Sequence, residues 1–409
     1  MSAMTHAALR RAPVLDGELR VANMPLSQLA QRVGRTPFYA YERASLRQRV
    51  DDLRAVLPAE IRLHYAMKAN PMPELVAYMA TLVDGIDVAS AGELAVALAA
   101  GADPCEVSFA GPGKSEAELA QAAAAGILIN IESMREMRLL ADISLRTGHP
   151  ARVAVRVNPD FELKSSGIRM SGGPKQFGID AEQVPEALAH IGQQGLVFEG
   201  FHIFSGSQNL QAASICESQI KVFELALRLA EDAPEPVRVL NLGGGFGIPY
   251  FPGEQPLNLD PIATNLHALV ERAKRELPQA ELVIELGRYL VGEAGIYVCR
   301  VVDRKISRGE VFLITDGGLH QHLAASGNFG QVIRKNYPVA IGTKMDAQPR
   351  EFASVVGPLC TPLDLLADRM ELARADVGDL VVVFQSGAYG RSASPIDFLS
   401  HPPPLELLV

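Results

Sequence analysis

Short apolar runs alternate with longer stretches of helix-forming residues between positions 60 and 290. This alternation is typical of parallel strands joined by crossover helices. The number and length of the runs predict an α/β fold with a (β/α)8 barrel, and an open doubly wound sheet is the alternative. The eight predicted strands are Leu63–Met67, Ile86–Ala89, Val107–Ala110, Ile127–Ile131, Val153–Val157, Phe198–Phe204, Val237–Leu242 and Leu282–Leu286. The clearest predicted helices are Ala91–Ala100, Ser115–Ala124, Ser133–Thr147 and Ala212–Glu231.

The pattern changes after about residue 291, where β-branched runs are separated by Gly, Pro and charged turns without helical periodicity. Such a texture indicates a mainly β domain. Its predicted strands include Tyr297–Val302, Val311–Ile314 and Leu380–Phe384. We therefore predict a barrel over residues 36–291 and a β domain made of residues 1–35 and 292–409.

Composition narrows the function classes. The chain of 409 residues is 48% hydrophobic and 21% charged, with a formal charge of -9, which excludes disorder and disfavours a nucleic-acid surface. It has no run of about 18 apolar residues, and no apolar run follows the two arginines near its start, so we expect no secretory leader, no membrane contact and a cytoplasmic location. The cysteines are far apart, which predicts reduced thiols and no metal site. They are Cys105, Cys216, Cys299 and Cys360.

Nearly every predicted barrel strand ends on a polar or glycine-rich segment, and the carboxyl ends of barrel strands carry the chemistry in this fold. Two nucleotide-binding motifs are incomplete there. A dinucleotide fingerprint lacks its third glycine because Ile248 stands in that place, and a P-loop lacks its first glycine because Ser108 stands there. The sequence therefore predicts neither NAD nor ATP binding.

An ordered set of motifs resembles the fold-type III, pyridoxal-phosphate-dependent decarboxylases of diaminopimelate, ornithine and arginine. The resemblance runs from about residue 36 to the end of the chain. It implies an alanine-racemase-like barrel, pyridoxal 5'-phosphate as cofactor, and a homodimer with shared active sites. The motifs are Tyr65-Ala66-Met67-Lys68-Ala69-Asn70, Asp87-Val88-Ala89-Ser90, Phe177-Gly178-Ile179-Asp180, Gly243-Gly244-Gly245-Phe246, Glu285-Leu286-Gly287-Arg288, Gly357-Pro358-Leu359-Cys360 and Gly387-Ala388-Tyr389.

The resemblance implies that Lys68 holds the cofactor as a Schiff base, and partial burial at a strand end would favour the neutral amine that attacks an aldehyde. A lysine that snorkels at the barrel rim is the alternative. Glu285 would pair with the pyridine nitrogen and keep the ring an electron sink. A rim carboxylate paired with Arg288 is the alternative for Glu285.

The other implied cofactor contacts surround the ring and the phosphate. His202 would lie flat on the ring, Asp87 near it, and Arg156 against its phenolic oxygen. A hydrogen-bonded core histidine and structural salt bridges are the respective alternatives. The phosphate would be bound after the seventh and eighth strands, where either a phosphate cradle or a tight turn explains the glycines. Its residues would be Gly243, Gly244, Gly245, Arg288, Tyr389 and one serine after His202, with Ser205 preferred and Ser207 as competitor.

Cys360 matches the family cysteine that crosses the dimer interface and protonates the α-carbon in the partner's site. A cysteine in isolation is more often a small buried hydrophobe. The Gly-Pro-x-Cys context favours the catalytic interpretation. With Lys68, His202 and Glu285 it completes the predicted catalytic set.

The segment after this cysteine bears on the substrate. Relatives that act on diamino acids have an acidic residue directly after the cysteine, whereas this chain has Thr361. Loss of that carboxylate removes a partner for a distal ammonium group. His320, His322 and Arg334 supply histidines and a cation where relatives bind the side chain, which suits a carboxylate-bearing substrate. The chain is similar to a secondary-metabolism subgroup that includes carrier-protein glutamyl, siderophore-precursor and exosortase-associated decarboxylases.

The resulting hypothesis is α-decarboxylation of an amino acid or derivative with an acidic or carrier-tethered side chain, through a Lys68 Schiff base and a quinonoid. A diaminopimelate or diamine-forming decarboxylase is the alternative of the same class. An amino-acid racemase and a non-catalytic binder that kept the fold are alternatives of other classes.

Overall fold

A computed structural model describes residues 6–161, 168–169, 173–329, 331 and 333–409. The described chain forms two compact units. The barrel unit comprises residues 48–247 and 257–289, and the β unit comprises residues 1–47, 248–256 and 290–409. Within the described residues, every helix is too short or too polar to span a bilayer.

The described residues form twenty-two strands and eleven α-helices. The strands are β1 (Val14–Leu15), β2 (Glu18–Val21), β3 (Met24–Pro25), β4 (Phe38–Tyr41), β5 (Arg62–Ala66), β6 (Gly85–Val88), β7 (Val107–Phe109), β8 (Leu128–Ile131), β9 (Arg152–Asn158), β10 (Ile168–Arg169), β11 (Ile179–Asp180), β12 (Val197–His202), β13 (Gly206–Ser207), β14 (Val239–Gly244), β15 (Glu281–Leu286), β16 (Gly295–Ser307), β17 (Glu310–Thr315), β18 (Val339–Ile341), β19 (Arg350–Val356), β20 (Leu365–Ala373), β21 (Leu380–Val383) and β22 (Leu405–Leu408). The helices are α1 (Ala7–Arg11), α2 (Leu26–Val33), α3 (Arg43–Val56), α4 (Pro73–Ala80), α5 (Ala91–Ala99), α6 (Glu116–Ala125), α7 (Met134–Thr147), α8 (Val184–Gln193), α9 (Ala212–Ala230), α10 (Asp260–Glu276) and α11 (Arg288–Val291).

Eight parallel strands of the barrel unit close into a ring. Their order is β5, β6, β7, β8, β9, β12, β14 and β15, and β15 pairs with β5 to complete the circle. Each of the eight predicted strands coincides with one of them to within a few residues. The predicted (β/α)8 barrel is therefore confirmed, and the open sheet is excluded because both edges are paired.

Local signals place the barrel helices. Ser90, Ser115 and Ser133 each accept a hydrogen bond from a backbone N–H in the first turn of α5, α6 and α7, respectively. Such caps satisfy donors that the helix leaves unpaired, and losing one costs about 1 kcal/mol. Gly126 and Gly148 end α6 and α7 in the left-handed conformation that glycine adopts without strain. The caps fix where each helix starts and so the length of the loop that follows each strand.

The β unit is built on a mixed sheet in the order β18, β21, β16, β17, β19 and β20, with β4 and β22 added beside β16. The predicted mainly β domain is confirmed. Its boundary differs from the predicted residue 36, because β4 pairs antiparallel with β16 and parallel with β22. All four residues of β4 are buried, and Phe38 and Ala40 pack in the main apolar cluster of the unit. Residues 36–47 and 248–256 therefore belong to the β unit.

Candidate active site

Each of the eight barrel strands contributes one buried polar side chain to a set that we call the inner polar ring. Most of these side chains contact another member on a neighbouring strand, so they share the inner face of the barrel. The ring consists of His64, Asp87, Ser108, Asn130, Arg156, His202, Asn241 and Glu285. Burying polar groups is costly unless they are paired, so this concentration marks a functional site rather than a packed core.

One side of the ring is centred on Glu285. Its Oε2 atom lies 3.0 Å from His202 Nε2 and accepts a hydrogen bond from Asn241 Nδ2 at 3.1 Å. Burial raises the pKa of Glu285, but the adjacent His202 imidazole, together with Lys68 and Arg156, outweighs burial and lowers the pKa below its usual value. Glu285 is therefore an ionised carboxylate deep in the barrel. The His202 imidazole, 3.0 Å away, is a direct partner of this carboxylate.

The other side of the ring is centred on Asp87. Its Oδ1 atom lies 3.0 Å from His64 Nδ1 and accepts a hydrogen bond from Ser108 Oγ at 2.5 Å. Asn130 Nδ2 donates to Ser108 Oγ at 3.4 Å. The second oxygen, Oδ2, is buried and has no hydrogen-bond partner among the described residues. Asp87 thus keeps one acceptor available inside the barrel.

Arg156 is held by a buried ion pair. Its Nη1 atom donates to Glu132 Oε1 at 2.6 Å, and its guanidinium lies 4.9 Å from the centre of the Phe177 ring. Glu132 Oε2 also accepts from the backbone N–H of Gly178 at 3.2 Å. A guanidinium fixed in this way presents a defined donor to the inside of the barrel. The salt bridge with Glu132 is therefore compatible with a role of Arg156 as a cofactor contact.

Lys68 is exposed and lies in a short helical turn, Met67–Ala69, directly after β5. Its Nζ atom is 5.6 Å from the centre of the Phe204 ring. The turn follows strand residues that are buried on both faces, so the strand fixes the backbone while the amine remains accessible. An accessible amine beside buried carboxylates suits a nucleophile better than a structural cation.

The glycine segment after β14 forms one wall of a pocket in the barrel unit. A Cβ atom on Gly244 would lie 2.0 Å from the Glu285 carbonyl oxygen, and one on Gly245 would lie 2.2 Å from that of Gly206. Gly245 also has φ +76°. Only glycine fits at these positions. The pocket is lined by Ser205, Gly206, Asn209, Ser214, Ile215, Ser218, Leu242, Gly244 and Gly245.

This pocket favours Ser205 over Ser207 as the candidate phosphate ligand. Ser205 lines the pocket, whereas Ser207 lies in β13, which pairs with β10. Arg288 begins α11, two residues after the last residue of β15. A pocket lined by serine hydroxyls and glycine backbone can take an anion such as a phosphate.

The described residues fit pyridoxal phosphate. Asp87 Oδ2 is a buried acceptor without a partner, Lys68 supplies an accessible amine, and Glu285 supplies an ionised carboxylate. The glycine and serine pocket offers an anion site. In the structure, Lys68, Asp87, Arg156, His202 and Glu285 lie at or near the carboxyl ends of the barrel strands.

The remaining predicted residues belong to the β unit. Cys360 is an exposed free thiol, and Thr361 after it is half-buried. Tyr389 is half-buried, with its ring centre 6.1 Å from that of Phe329 and φ +53°, a strained value for a non-glycine residue. Strain of this kind is stored more often at functional than at structural positions.

Asp364 organises the segment that carries Cys360. It is buried, and its two oxygens accept backbone hydrogen bonds from Leu319 at 2.6 Å and Leu359 at 2.8 Å. One carboxylate therefore joins the turn that contains His320 to the segment that contains Cys360. A Cβ atom on Gly318 or Gly357 would lie within 2.3 Å of this carboxylate, so both positions need glycine.

The two predicted substrate histidines differ. His322 is a core residue, since Nε2 lies 2.8 Å from Ser386 Oγ and Nδ1 accepts from the Ala325 backbone at 3.2 Å. Burial lowers the pKa of His322 to about 3, so it is neutral and fully paired. His322 was predicted to bind the substrate, but both of its ring nitrogens are already used within the protein.

His320 is equally buried, yet neither ring nitrogen has a hydrogen-bond partner among the described residues. Burial and the neighbouring His401 ring, 5.1 Å away, lower the pKa of His320 to about 4. It can donate or accept a hydrogen bond but is not a cation at neutral pH. Arg334 is half-buried and donates to the Leu365 carbonyl oxygen at 2.6 Å, which leaves it the one cation of the predicted substrate set.

Sequence reasoning missed several residues of the site. Four members of the inner polar ring have no role assigned by the family motifs: His64, Ser108, Asn130 and Asn241. The signal was present, since each is a polar residue inside an apolar strand. Asn241 also accepts a backbone hydrogen bond from Gly243 at 2.8 Å and so ties Glu285 to the glycine segment.

Comparisons with known proteins agree with this site. The family described as "Pyridoxal-dependent decarboxylase, pyridoxal binding domain" matches residues 43–292. An L-glutamyl-[BtrI acyl-carrier protein] decarboxylase of Niallia circulans is 39% identical over 379 residues, which covers 91% of this chain and 88% of that protein. A 2-[(L-alanin-3-ylcarbamoyl)methyl]-2-hydroxybutanedioate decarboxylase of Staphylococcus aureus is 30% identical and covers 94% of this chain and 97% of that protein.

Among solved structures, diaminopimelate decarboxylase of Helicobacter pylori in complex with L-lysine has a TM-score of 0.82 and 27% identity, and covers 94% of each chain. These matches confirm the resemblance predicted from the motifs, with its cofactor and its reaction. The chain belongs to the family of pyridoxal-dependent decarboxylases.

Proposed function

We propose that this decarboxylase acts on an amino-acid derivative with a carboxylate-bearing or carrier-tethered side chain. The observation that carries the proposal is Thr361, an uncharged residue directly after Cys360, where an acidic side chain would be needed to bind a distal ammonium group. The glutamyl carrier-protein decarboxylase, at 39% identity, supports the same substrate class.

The residue roles follow from the positions in the barrel unit. Bound pyridoxal phosphate supplies an electron sink for the pair of electrons that carbon dioxide leaves behind. Lys68 provides the amine that anchors the aldehyde, and Glu285 holds a proton on the ring nitrogen. Asn241 and His202 keep Glu285 ionised and oriented. The glycine segment and Ser205 bind the phosphate.

The β unit supplies the remaining groups. The exposed Cys360 delivers a proton to the α-carbon, and Asp364 positions the segment on which that thiol lies. Arg334 is the cation for a substrate carboxylate, with His320 as a neutral hydrogen-bonding neighbour. Tyr389 is the β-unit residue proposed for the phosphate, and Arg288 is proposed for it from the barrel unit.

We further propose a homodimer in which Cys360 serves the partner's barrel. Mixing Lys68→Ala and Cys360→Ala chains tests this directly, because each mixed dimer would contain one intact site. Recovery of decarboxylase activity above that of either variant alone supports shared sites. Two inactive variants that stay inactive after demonstrated subunit exchange contradict them.

The substrate class is tested by incubating the reconstituted enzyme with a panel while carbon dioxide release is measured. The panel contains an L-glutamyl carrier protein, free L-glutamate, diaminopimelate, L-lysine and L-ornithine, with the Lys68→Ala variant as control. We expect release from the carboxylate-bearing or carrier-bound members. Release from diaminopimelate or the diamino acids alone would contradict the proposal.

Diaminopimelate decarboxylase is the second candidate, favoured by the structural similarity to the Helicobacter pylori enzyme. An amino-acid racemase would retain the carboxylate, and a non-catalytic binder would release no gas from any substrate. Chiral analysis of the recovered amino acid in the same reactions separates these two outcomes from decarboxylation.

A further inference from the structure

His64 is a buried imidazole of the inner polar ring to which the family motifs give no role. It lies on β5, four residues before Lys68, which follows in the helical turn Met67–Ala69. Only 7% of His64 is exposed, and its Nδ1 atom is 3.0 Å from Asp87 Oδ1. The strand that leads into the turn of Lys68 therefore also carries a partner for Asp87, the second carboxylate of the inner polar ring.

The absence of a side chain at Gly85 leaves space for the His64 imidazole. A Cβ atom on Gly85, at the start of β6, would lie 2.5 Å from His64 Nε2 and 2.5 Å from the Glu106 carbonyl oxygen. Real Cβ atoms do not approach other atoms so closely, so glycine at position 85 is a condition for the observed position of His64.

The arrangement leaves Asp87 with unequal oxygens. Oδ1 accepts hydrogen bonds from His64 and from Ser108, whereas Oδ2 is buried without a partner among the described residues. A buried acceptor without a donor destabilises the folded state, so its retention indicates that a ligand supplies the donor. The two hydrogen bonds to Oδ1 determine which oxygen remains available.

Carboxylates surround the imidazole on several elements. Asp87 faces it from β6, Glu285 from β15, and Glu106 from the segment before β7, where Arg62 also pairs with Glu106 at 2.6 Å. Burial lowers the pKa of His64, but these carboxylates outweigh burial and raise the pKa above its usual value. Arg62, on the same strand as His64, is the cation that these contacts place beside the carboxylates.

We propose that His64 is a positioning residue for the cofactor: as an imidazolium it holds Asp87 by Oδ1, so that Oδ2 points to a donor on the bound cofactor or the substrate amine. This inference rests on the proposed function, since it takes pyridoxal phosphate as the ligand. It adds a residue outside the motifs to the site.

Cofactor affinity is the first test, measured by titrating cofactor-free protein with pyridoxal phosphate and following absorbance and tyrosine fluorescence. Asparagine carries an amide N–H close to the place of Nδ1, whereas phenylalanine removes the donor. We expect His64→Phe to weaken binding by about tenfold and His64→Asn to recover most of the loss. His190→Gln, a histidine change on the outer helix α8, is the matched control and should bind like the wild type.

Wild-type affinity in His64→Phe would overturn the proposal, and so would an Asn variant as weak as the Phe variant. A double-mutant cycle with Asp87→Asn adds a check that a generally damaged barrel would fail. We expect the His64→Phe change to weaken binding little in the Asp87→Asn background, because the partner is already altered. Additive losses would contradict an action through Asp87.

A second readout needs no cofactor. A histidine whose pKa is raised on folding stabilises the protein fully below its unfolded pKa, and that stability is lost as the pH rises through the folded value. We therefore expect the unfolding equilibrium constant of the cofactor-free wild type to rise with pH above about 6.5, by up to about tenfold per pH unit, relative to His64→Phe. Parallel pH dependences of the unfolding equilibrium constant in the wild type and His64→Phe would contradict a charged His64–Asp87 pair.

The two readouts separate the failure of this inference from that of the proposed function. If the wild type bound no pyridoxal phosphate, the proposed function would fail, and the pH dependence would still decide whether the His64–Asp87 pair is charged. If the wild type bound the cofactor and the variants did not differ from it, His64 would have no positioning role.

Discussion

Histidines in the two units have opposite electrostatic environments. In the barrel, His64 and His202 each lie 3.0 Å from a buried carboxylate. In the β unit, His320 and His322 are buried without a carboxylate partner among the described residues, and burial lowers their pKa values to about 4 and about 3, respectively. The same residue type thus lies against a carboxylate in one unit and is a neutral side chain in the other.

The comparison shows that a histidine's charge is determined by its neighbours rather than by its position in a motif. The barrel ring pairs cations with carboxylates and so keeps charges available for chemistry. The β unit uses its buried carboxylate, Asp364, to bind backbone amides instead. Substitutions that remove one partner from each region should therefore have different consequences.

The largest effect is expected at Lys68. Lys68→Ala and Lys68→Arg both remove the amine that reacts with the aldehyde, and the Arg variant keeps the positive charge. We expect both to lose decarboxylation by roughly a thousandfold or more, with the covalent cofactor absorbance band absent. Far-UV circular dichroism is the control for folding. An active Arg variant would refute covalent anchoring at this position.

Replacing Glu285 should have the next largest effect. Glu285→Gln keeps the shape and the hydrogen bond from Asn241 but removes the charge that faces His202. We expect kcat to fall by about a hundredfold to a thousandfold while cofactor still binds, because an electrostatic interaction that develops in the reaction is lost. Steady-state kinetics on the substrate identified by the panel measures this. An unchanged kcat would mean that the carboxylate is structural.

The substrate preference should respond to Thr361. Thr361→Glu introduces the carboxylate that is missing after Cys360, and Thr361→Gln is the uncharged control of the same size. We expect the Glu variant to gain about tenfold in kcat/KM for a diamino acid relative to the Gln variant. Equal ratios for the two variants would show that this position does not face the distal group.

The two β-unit histidines should differ in stability. His322→Phe leaves the Ala325 N–H without its acceptor and Ser386 without its ring partner, so we expect a loss of about 1–3 kcal/mol in the free energy of unfolding. His320→Phe breaks no hydrogen bond within the described residues and should cost less than about 1 kcal/mol. Urea denaturation of the two variants compares them, and equal losses would contradict the assigned contacts.

The smallest effect is a pH dependence. The folded pKa of Glu285 lies below its usual value, so this group stabilises the protein above that usual value and the contribution is lost as the pH falls through the folded pKa. Between about pH 5 and pH 3, the free energy of unfolding should fall less steeply in Glu285→Gln, by at most about 1.4 kcal/mol per pH unit. Identical slopes would show that Glu285 is not an ionised carboxylate in the fold.

The barrel could be predicted from the sequence because its strands are apolar runs whose spacing is fixed by the crossover helices. Lys68, Glu285 and the glycine segment could be predicted because short motifs carry them. His64 and Asn241 could not, since a single polar residue inside an apolar strand gains its meaning only from neighbours on other strands. The role of His322 was misjudged for the same reason, because Ser386 is distant in sequence.

The domain boundary shows another limit of local pattern. Residues 38–41 form one buried strand ahead of the barrel, and nothing in that segment indicates that its partners are β16 and β22. Non-local pairing of this kind depends on the whole sheet rather than on the sequence of one strand.

The position of β4 between β16 and β22 also has a consequence during synthesis. The barrel unit contains residues up to 289, so its closed ring can form while later residues are still being added. Residues 38–41 emerge from the ribosome before the barrel strands, but they lack their neighbour β22 until residues 405–408 follow. We expect the unit that carries Cys360 to mature last, so that the newborn chain reaches a complete barrel before it acquires its proton donor.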